Sequence, residues 1–398
     1  MAVAAFPPTL DVDPFSDQFL ADPYRDHEAM REAGPVVWLE KYQIYASARH
    51  AEVRSALQDW RAFSSAAGVG LADFRKENPF RPPSLVLETD PPLHDRTRPV
   101  LAIALSPAAL RELKPTFEAE AHGLVDRLVS RGVFDAVTEL AEVYPIHVFA
   151  DALGLREEGR ENLLPYAAML FNAFGPRNRL FEETLRGAQA ASEWVMKQCD
   201  RAALRPGSLG ARVFAAADRG EVSEEEAGLL VRSLLSAGLD TTVYALGNAL
   251  FALATHPEAR ARLRAQPDMA RGAFEEALRF ESSVQTFFRT TTTATALGGA
   301  ELPADAKILL FLGAANRDPR RWEEPDRFDI ERKTTGHVAF GYGIHSCVGQ
   351  TVARLEGEIM LTALAERVER IELAGPAVRR LNNTLRGLSR LPLRVTRS

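Results

Sequence analysis

Ten residues constrain this chain more than any other stretch: Phe340-Gly341-Tyr342-Gly343-Ile344-His345-Ser346-Cys347-Val348-Gly349. Three glycines and one cysteine stand just ahead of a helical pattern that begins near Gln350. Glycines let a backbone pass close to a flat object and take up turns closed to other residues. A cysteine placed there has its thiolate favoured by the helix dipole and by free backbone N–H groups, which would also tune a metal bound to the sulfur. The same pattern is open to a plainer reading, a buried and inert thiol in a glycine-rich turn. Cys199, the only other cysteine, sits in Met196-Lys197-Gln198-Cys199-Asp200 with no such setting and reads as a bystander on a helix. Two cysteines build neither a disulfide framework nor a Cys-rich zinc site, so any thiolate role falls to one of them alone.

A chain of 398 residues with 46% hydrophobic content can build a core large enough to enclose a prosthetic group. Lys and Arg number 48 against 54 Asp and Glu, a net charge of −6 with no long basic run, which offers nucleic acid no electrostatic footprint. The most apolar stretch, 229–254, carries Arg232 and Asp240, and the N-terminus has no basic segment before Pro7. We therefore expect no membrane segment, a cytoplasmic and reducing setting, and a monomer.

Periodicity predicts one body, 1–398, mainly α with a small β portion. A helix should open at Asp22-Pro23 and run to Gly34, followed by a short hairpin of 36–39 with 42–46 and a helix over 48–60. Most segments from 92 to 368 read as helices, with strong starts at Ser106-Pro107 and at Ser223-Glu224-Glu225-Glu226. Strands are expected at 287–293, 307–311 and 391–396, and an irregular loop over 316–332. The longest helix should span 223–255, roughly 50 Å. Within it, Ala237-Gly238-Leu239-Asp240-Thr241-Thr242 places Gly and Thr where they can loosen the backbone ladder, although an exposed polar face would look the same. Glu276-Ala277-Leu278-Arg279 is a third feature, which on its own is an i, i+3 surface pair.

Taken together these motifs resemble the cytochromes P450, the haem-thiolate monooxygenases: Phe-Gly-x-Gly-x-His-x-Cys-x-Gly is similar to their haem-binding loop, and every fixed position is filled. The resemblance extends over essentially the whole chain. It implies haem b (iron protoporphyrin IX) with Cys347 as the axial thiolate, Asp240 as a proton-relay residue, and Thr241 as the hydroxyl that hydrogen-bonds dioxygen. It implies that His94, Arg98, Arg289 and His345 meet the haem propionates, with Gly349 in the haem loop. It implies a structural triad of Glu276, Arg279 and, in Pro325-Asp326-Arg327-Phe328, Arg327. Ser283 departs from the pattern, since relatives commonly carry proline there. No flavin, Fe–S or nicotinamide motif is present, so the resemblance implies electrons from a [2Fe–2S] ferredoxin served by a flavin reductase, with Arg354 a candidate docking residue.

Substrate is read from three groups of residues. Arg81-Pro82-Pro83-Ser84 presents a guanidinium and a hydroxyl, and Ser233, Ser236, Ala237 and Asp240 share one helix face. Phe171, Phe174 and Phe287 supply flat walls, with Leu87 and Leu170 beside them. These stretches resemble a bacterial subgroup that oxidises para-substituted benzoates, including O-demethylation of 4-methoxybenzoate. The resemblance implies Arg81, Ser84, Ser233 and Ser236 near the carboxylate, with Arg232 balancing charge. Competing readings are a different small apolar substrate, a peroxide-driven peroxygenase, and a haem sensor without turnover.

Overall fold

A computed structural model describes residues 6–397 of this chain. Local capping chemistry places the helix starts. Tyr24–Ala33 begins after Asp22-Pro23, whose carboxylate accepts the Tyr24 N–H at 3.5 Å, and stops at Gly34. Ser106 caps Pro107–Arg131, and Ser223 and Glu226 form the reciprocal capping box that opens Glu224–Ala237.

The single helix expected over 223–255 is two helices, Glu224–Ala237 and Asp240–Thr255, separated by Gly238 and Leu239. The Thr241 hydroxyl crosses the break to donate to the Ala237 carbonyl at 2.9 Å. A side chain that competes for a helix carbonyl weakens the ladder at that point, and here the ladder opens outright.

Both expected strand pairs join one six-stranded sheet. Its order is Thr9–Leu10, Val37–Leu39, Ile44–Ser47, Lys307–Phe311, Thr286–Thr291, Phe63–Ser64. The hairpin register pairs Val37 with Ala46, and Arg289 lies opposite Ile308. The central strand is buried on both faces, with Ile308 and Leu310 in one apolar cluster and Leu309 and Phe311 in another. That is why its sequence is a continuous apolar run rather than an alternation. Thr286–Thr291 does alternate: Phe288 enters the second cluster, while Phe287 and Arg289 turn toward a large cavity. The remaining core is one cluster through the helices Pro107–Arg131, Asp240–Thr255, Ala270–Glu281 and Gln350–Arg367. A smaller sheet of Val368–Leu373, Pro392–Arg397 and Val133–Asp135 closes the far end and contains the expected C-terminal strand.

The turn after Ala270–Glu281 forms without proline. Ser282 adopts φ +43°, its hydroxyl donates to the Leu278 and Arg279 carbonyls, and Asn316 donates to it at 2.9 Å. Ser283 is buried, and its carbonyl accepts the Arg386 N–H.

Candidate active site

The glycine-rich loop folds as a tight shelf before Gln350–Arg367. Gly341 and Gly343 have φ of +69° and +73°, and a side chain at Gly343 would strike the Leu57 carbonyl. The Cys347 N–H donates to Phe340 O at 2.8 Å, which turns Cys347 toward the cavity. Burial pushes this thiol up, opposed by the Gly349 N–H aimed at the sulfur and by Arg98, Arg354 and the Gln350 N–H. Cys199 lies away from the cavity: it is buried, it donates to the Val195 carbonyl, and burial pushes its thiol up to about 12 with only Arg232 opposing.

The cavity is open in part to solvent, with Cys347 on one wall and Thr241 on another. Arg98 and Arg289 line one edge with His345. Arg98 donates to the Ser346 carbonyl and Arg289 to the Phe288 carbonyl. Neither has a carboxylate within ion-pairing distance among the described residues, and burial pushes Arg289 down to about 10. His94 is buried with neither ring nitrogen hydrogen-bonded, its Nδ1 3.6 Å from Asp95 and its ring 4.7 Å from that of His345. The His345 nitrogens face the Val86 carbonyl and Asp90. Two guanidiniums without a carboxylate partner stand at one edge beside a buried imidazole, and the two propionates of haem b would supply the anions those guanidiniums lack. With a single thiolate on the facing shelf, the residues present fit that group.

Asp240 is fully buried beside the break, with one carboxylate oxygen unpartnered, and burial pushes it up to about 7 against the pull of Arg380. Arg380 in turn meets Glu142 at 3.3 Å. A carboxyl poised near neutrality can both hold and release a proton.

The opposite pole is polar. Ser84 and Ser233 exchange a hydrogen bond of 3.2 Å, and Ser236 donates to the Ser233 carbonyl. Arg232 is buried and donates to the carbonyls of Pro82 and Pro83, again with no carboxylate within ion-pairing distance among the described residues. Phe174 stands edge-on between Phe171 and Phe287, with centroids 5.8 and 5.9 Å away. Leu87, Leu170 and Ala237 complete the lining.

Three expectations change. Arg81 lines the cavity but is not a free cation: its guanidinium grips Glu88 at 2.8 and 3.1 Å. Glu88 was not singled out by the sequence, since nothing marks an acid seven residues on. Arg327 is not the third member of the triad. Its side chain is exposed and pairs with Glu324, and only its carbonyl accepts from Arg279. Arg332 takes that place, donating to Glu276 at 3.2 Å and to the Glu323 and Glu324 carbonyls. Both arginines lie in one irregular loop, so only its folded path decides which reaches the buried acid. Arg354 is turned inward onto Glu275 and Gln350, stacked over Phe340, and is no free docking group.

The loop, broken helix and cavity together define a haem-thiolate oxygenase. Comparison with known proteins agrees. The family described as Cytochrome P450 matches residues 208–372. Cytochrome p450 CYP199A2 of Rhodopseudomonas palustris is 57% identical over 390 residues, covering 98% of this chain and 95% of that relative. A beta-dihydromenaquinone-9 omega-hydroxylase of Mycobacterium tuberculosis is 33% identical, covering 97% of this chain and 78% of that relative. Among solved structures, CYP109Q5 from Chondromyces apiculatus aligns with a TM-score of 0.82 at 32% identity, covering 98% and 99% of the two chains. The chain belongs to the cytochrome P450 family. It is a P450 monooxygenase, and that family binds haem b through a cysteine thiolate.

Proposed function

We propose that this monooxygenase oxidises a small aromatic carboxylic acid at its para substituent, by hydroxylation or by O-demethylation of a group such as 4-methoxy. The observation that carries the reading is the two-ended cavity: Cys347 at one end, aromatic walls, and a serine-and-arginine pole at the other. Arg232 lies buried at that pole without an anionic partner, a costly arrangement that a substrate carboxylate relieves. The Ser84 and Ser233 hydroxyls orient the acid, and Phe171, Phe174 and Phe287 hold the ring and exclude water. Anchoring at one end directs only a para group at the other.

Haem b, when bound, supplies the activation of dioxygen and the insertion of one oxygen atom, for two electrons and two protons. The chain's own part is proton handling. Asp240 holds a proton at its carboxyl, and the Thr241 hydroxyl, now on the Ala237 carbonyl, is the group within the cavity that passes it on. Electrons come from a [2Fe–2S] ferredoxin and its flavin reductase.

One observation favours a neutral aromatic substrate instead: Glu88 already balances Arg81. A titration separates the two. The acid 4-methoxybenzoate should shift the Soret band, while 4-methoxybenzamide and 4-methoxybenzyl alcohol should bind roughly 10- to 150-fold more weakly, the worth of a charged hydrogen bond. Equal affinities across the three would reject the carboxylate anchor.

A further inference from the structure

Lys307 is the first residue of the central strand, paired across the sheet with Thr290. Its ammonium is not used by the oxygenase machinery and has no carboxylate within ion-pairing distance among the described residues. The nearby Asp73 is occupied by Arg75 at 2.8 and 3.0 Å. Instead the Lys307 Nζ lies 3.1, 3.0, 3.0 and 2.9 Å from the carbonyl oxygens of Ala67, Gly68, Gly70 and Ala72.

Four carbonyls at near-equal distance exceed the three donors of an ammonium. The oxygen cage is therefore arranged as for a cation, the way backbone carbonyls replace a hydration shell in an ion filter. Without a positive charge at the centre, four oxygen dipoles would converge on one another. The 67–72 segment has no helix or strand of its own to hold this path. Its neighbours depend on it. Val69 accepts the Phe288 N–H at 3.0 Å, and the Leu71 N–H donates to Phe174 O at 2.8 Å. Gly70 lies so close that a Cβ there would be 2.8 Å from the Phe174 Cα. Phe174 is the middle ring of the aromatic wall.

We propose that the Lys307 ammonium is a built-in cation that folds the 67–72 segment around itself and, through that segment, sets Phe174 in the cavity wall, making Lys307 a positioning residue. The assignment rests on the cavity being the substrate site but not on which substrate enters it.

The test uses the haem-loaded protein. Arg75 and Lys76 follow the cage directly and report on its order as tryptic sites. In Lys307→Met, cleavage there should accelerate about ten- to a hundredfold, since losing one charged hydrogen bond raises the open population by that factor. The affinity for 4-phenylimidazole, a haem ligand that fills the cavity whatever the natural substrate, should fall, while the reduced CO spectrum stays that of a thiolate haem. Lys307→Ala leaves the cage vacant, so potassium or methylammonium should restore slow cleavage and azole affinity, and tetramethylammonium at equal ionic strength should not. Wild-type cleavage and affinity in Lys307→Met would overturn the proposal. So would a lost CO spectrum in both variants, or the absence of rescue in Lys307→Ala. A benzoate that fails to bind the wild-type protein would sink the substrate reading and leave this one standing.

Discussion

Asp240 shows how burial tunes a single group. Its carboxyl is raised from the ordinary value to about 7 by burial, with Arg380 pulling the other way. A raised carboxyl binds its proton more tightly folded than unfolded, so its favourable contribution is complete below about pH 4 and is lost as pH climbs through 7. Thermal stability measured between pH 5 and 8 should therefore fall less steeply in Asp240→Asn than in the parent protein. The same variant should turn over roughly a hundredfold more slowly, the lower range for a lost acid–base group. A turnover rate and a stability slope both unchanged by Asp240→Asn would remove the proton relay. At this scale the sequence was informative where chemistry demands a residue type at a fixed spacing, as with Cys347, Asp240 and Thr241. It was silent on the company those residues keep. Glu88 beside Arg81, Arg380 near Asp240 and the carbonyls around Lys307 are partners brought together by the fold, and no local pattern marks them.

Among elements, the meander after the sheet is held by a buried acid. Glu276 and Arg279 have no exposed side-chain surface, and Arg279 spends its remaining donors on the carbonyls of Asn316, Pro325 and Arg327. Arg332 closes the set from the loop. Removing it leaves Glu276 with one fewer charged donor, so Arg332→Ala should cost about 1.5–3 kcal/mol and loosen haem retention. Arg327→Ala, which removes only an exposed pair with Glu324, should leave stability nearly unchanged. Chemical denaturation of the two variants side by side checks this, and the reverse order would restore Arg327 to the triad. The helices and strands themselves were legible because caps and periodicity are local. The break at Gly238 and Leu239 was legible only as a weakening, because whether a ladder opens depends on what packs against it.

At the scale of the whole molecule, the sheet joins residues 263 positions apart, as in the parallel pairing of Tyr45 with Ile308. Such pairings lay beyond sequence reasoning from a single chain, although each strand was visible alone. The broken helix carries a consequence for the chain before it folds. Glu224–Thr255 spans 32 residues and its most apolar 18-residue window has a mean hydropathy of 1.2, long and apolar enough to cross a bilayer, yet 72% of that window is buried inside the protein. During synthesis the insertion machinery meets that stretch as a bare segment. Asp240 lies at its midpoint, where an aspartate disfavours insertion by about 2.5–3.5 kcal/mol. The isolated 224–255 segment carrying Asp240→Leu should partition into membranes far more than its parent in a translocation assay, and equal insertion would deny the aspartate this part. The carboxyl proposed to handle a proton in the finished enzyme thus also weighs, before folding, against partition of the bare segment into lipid.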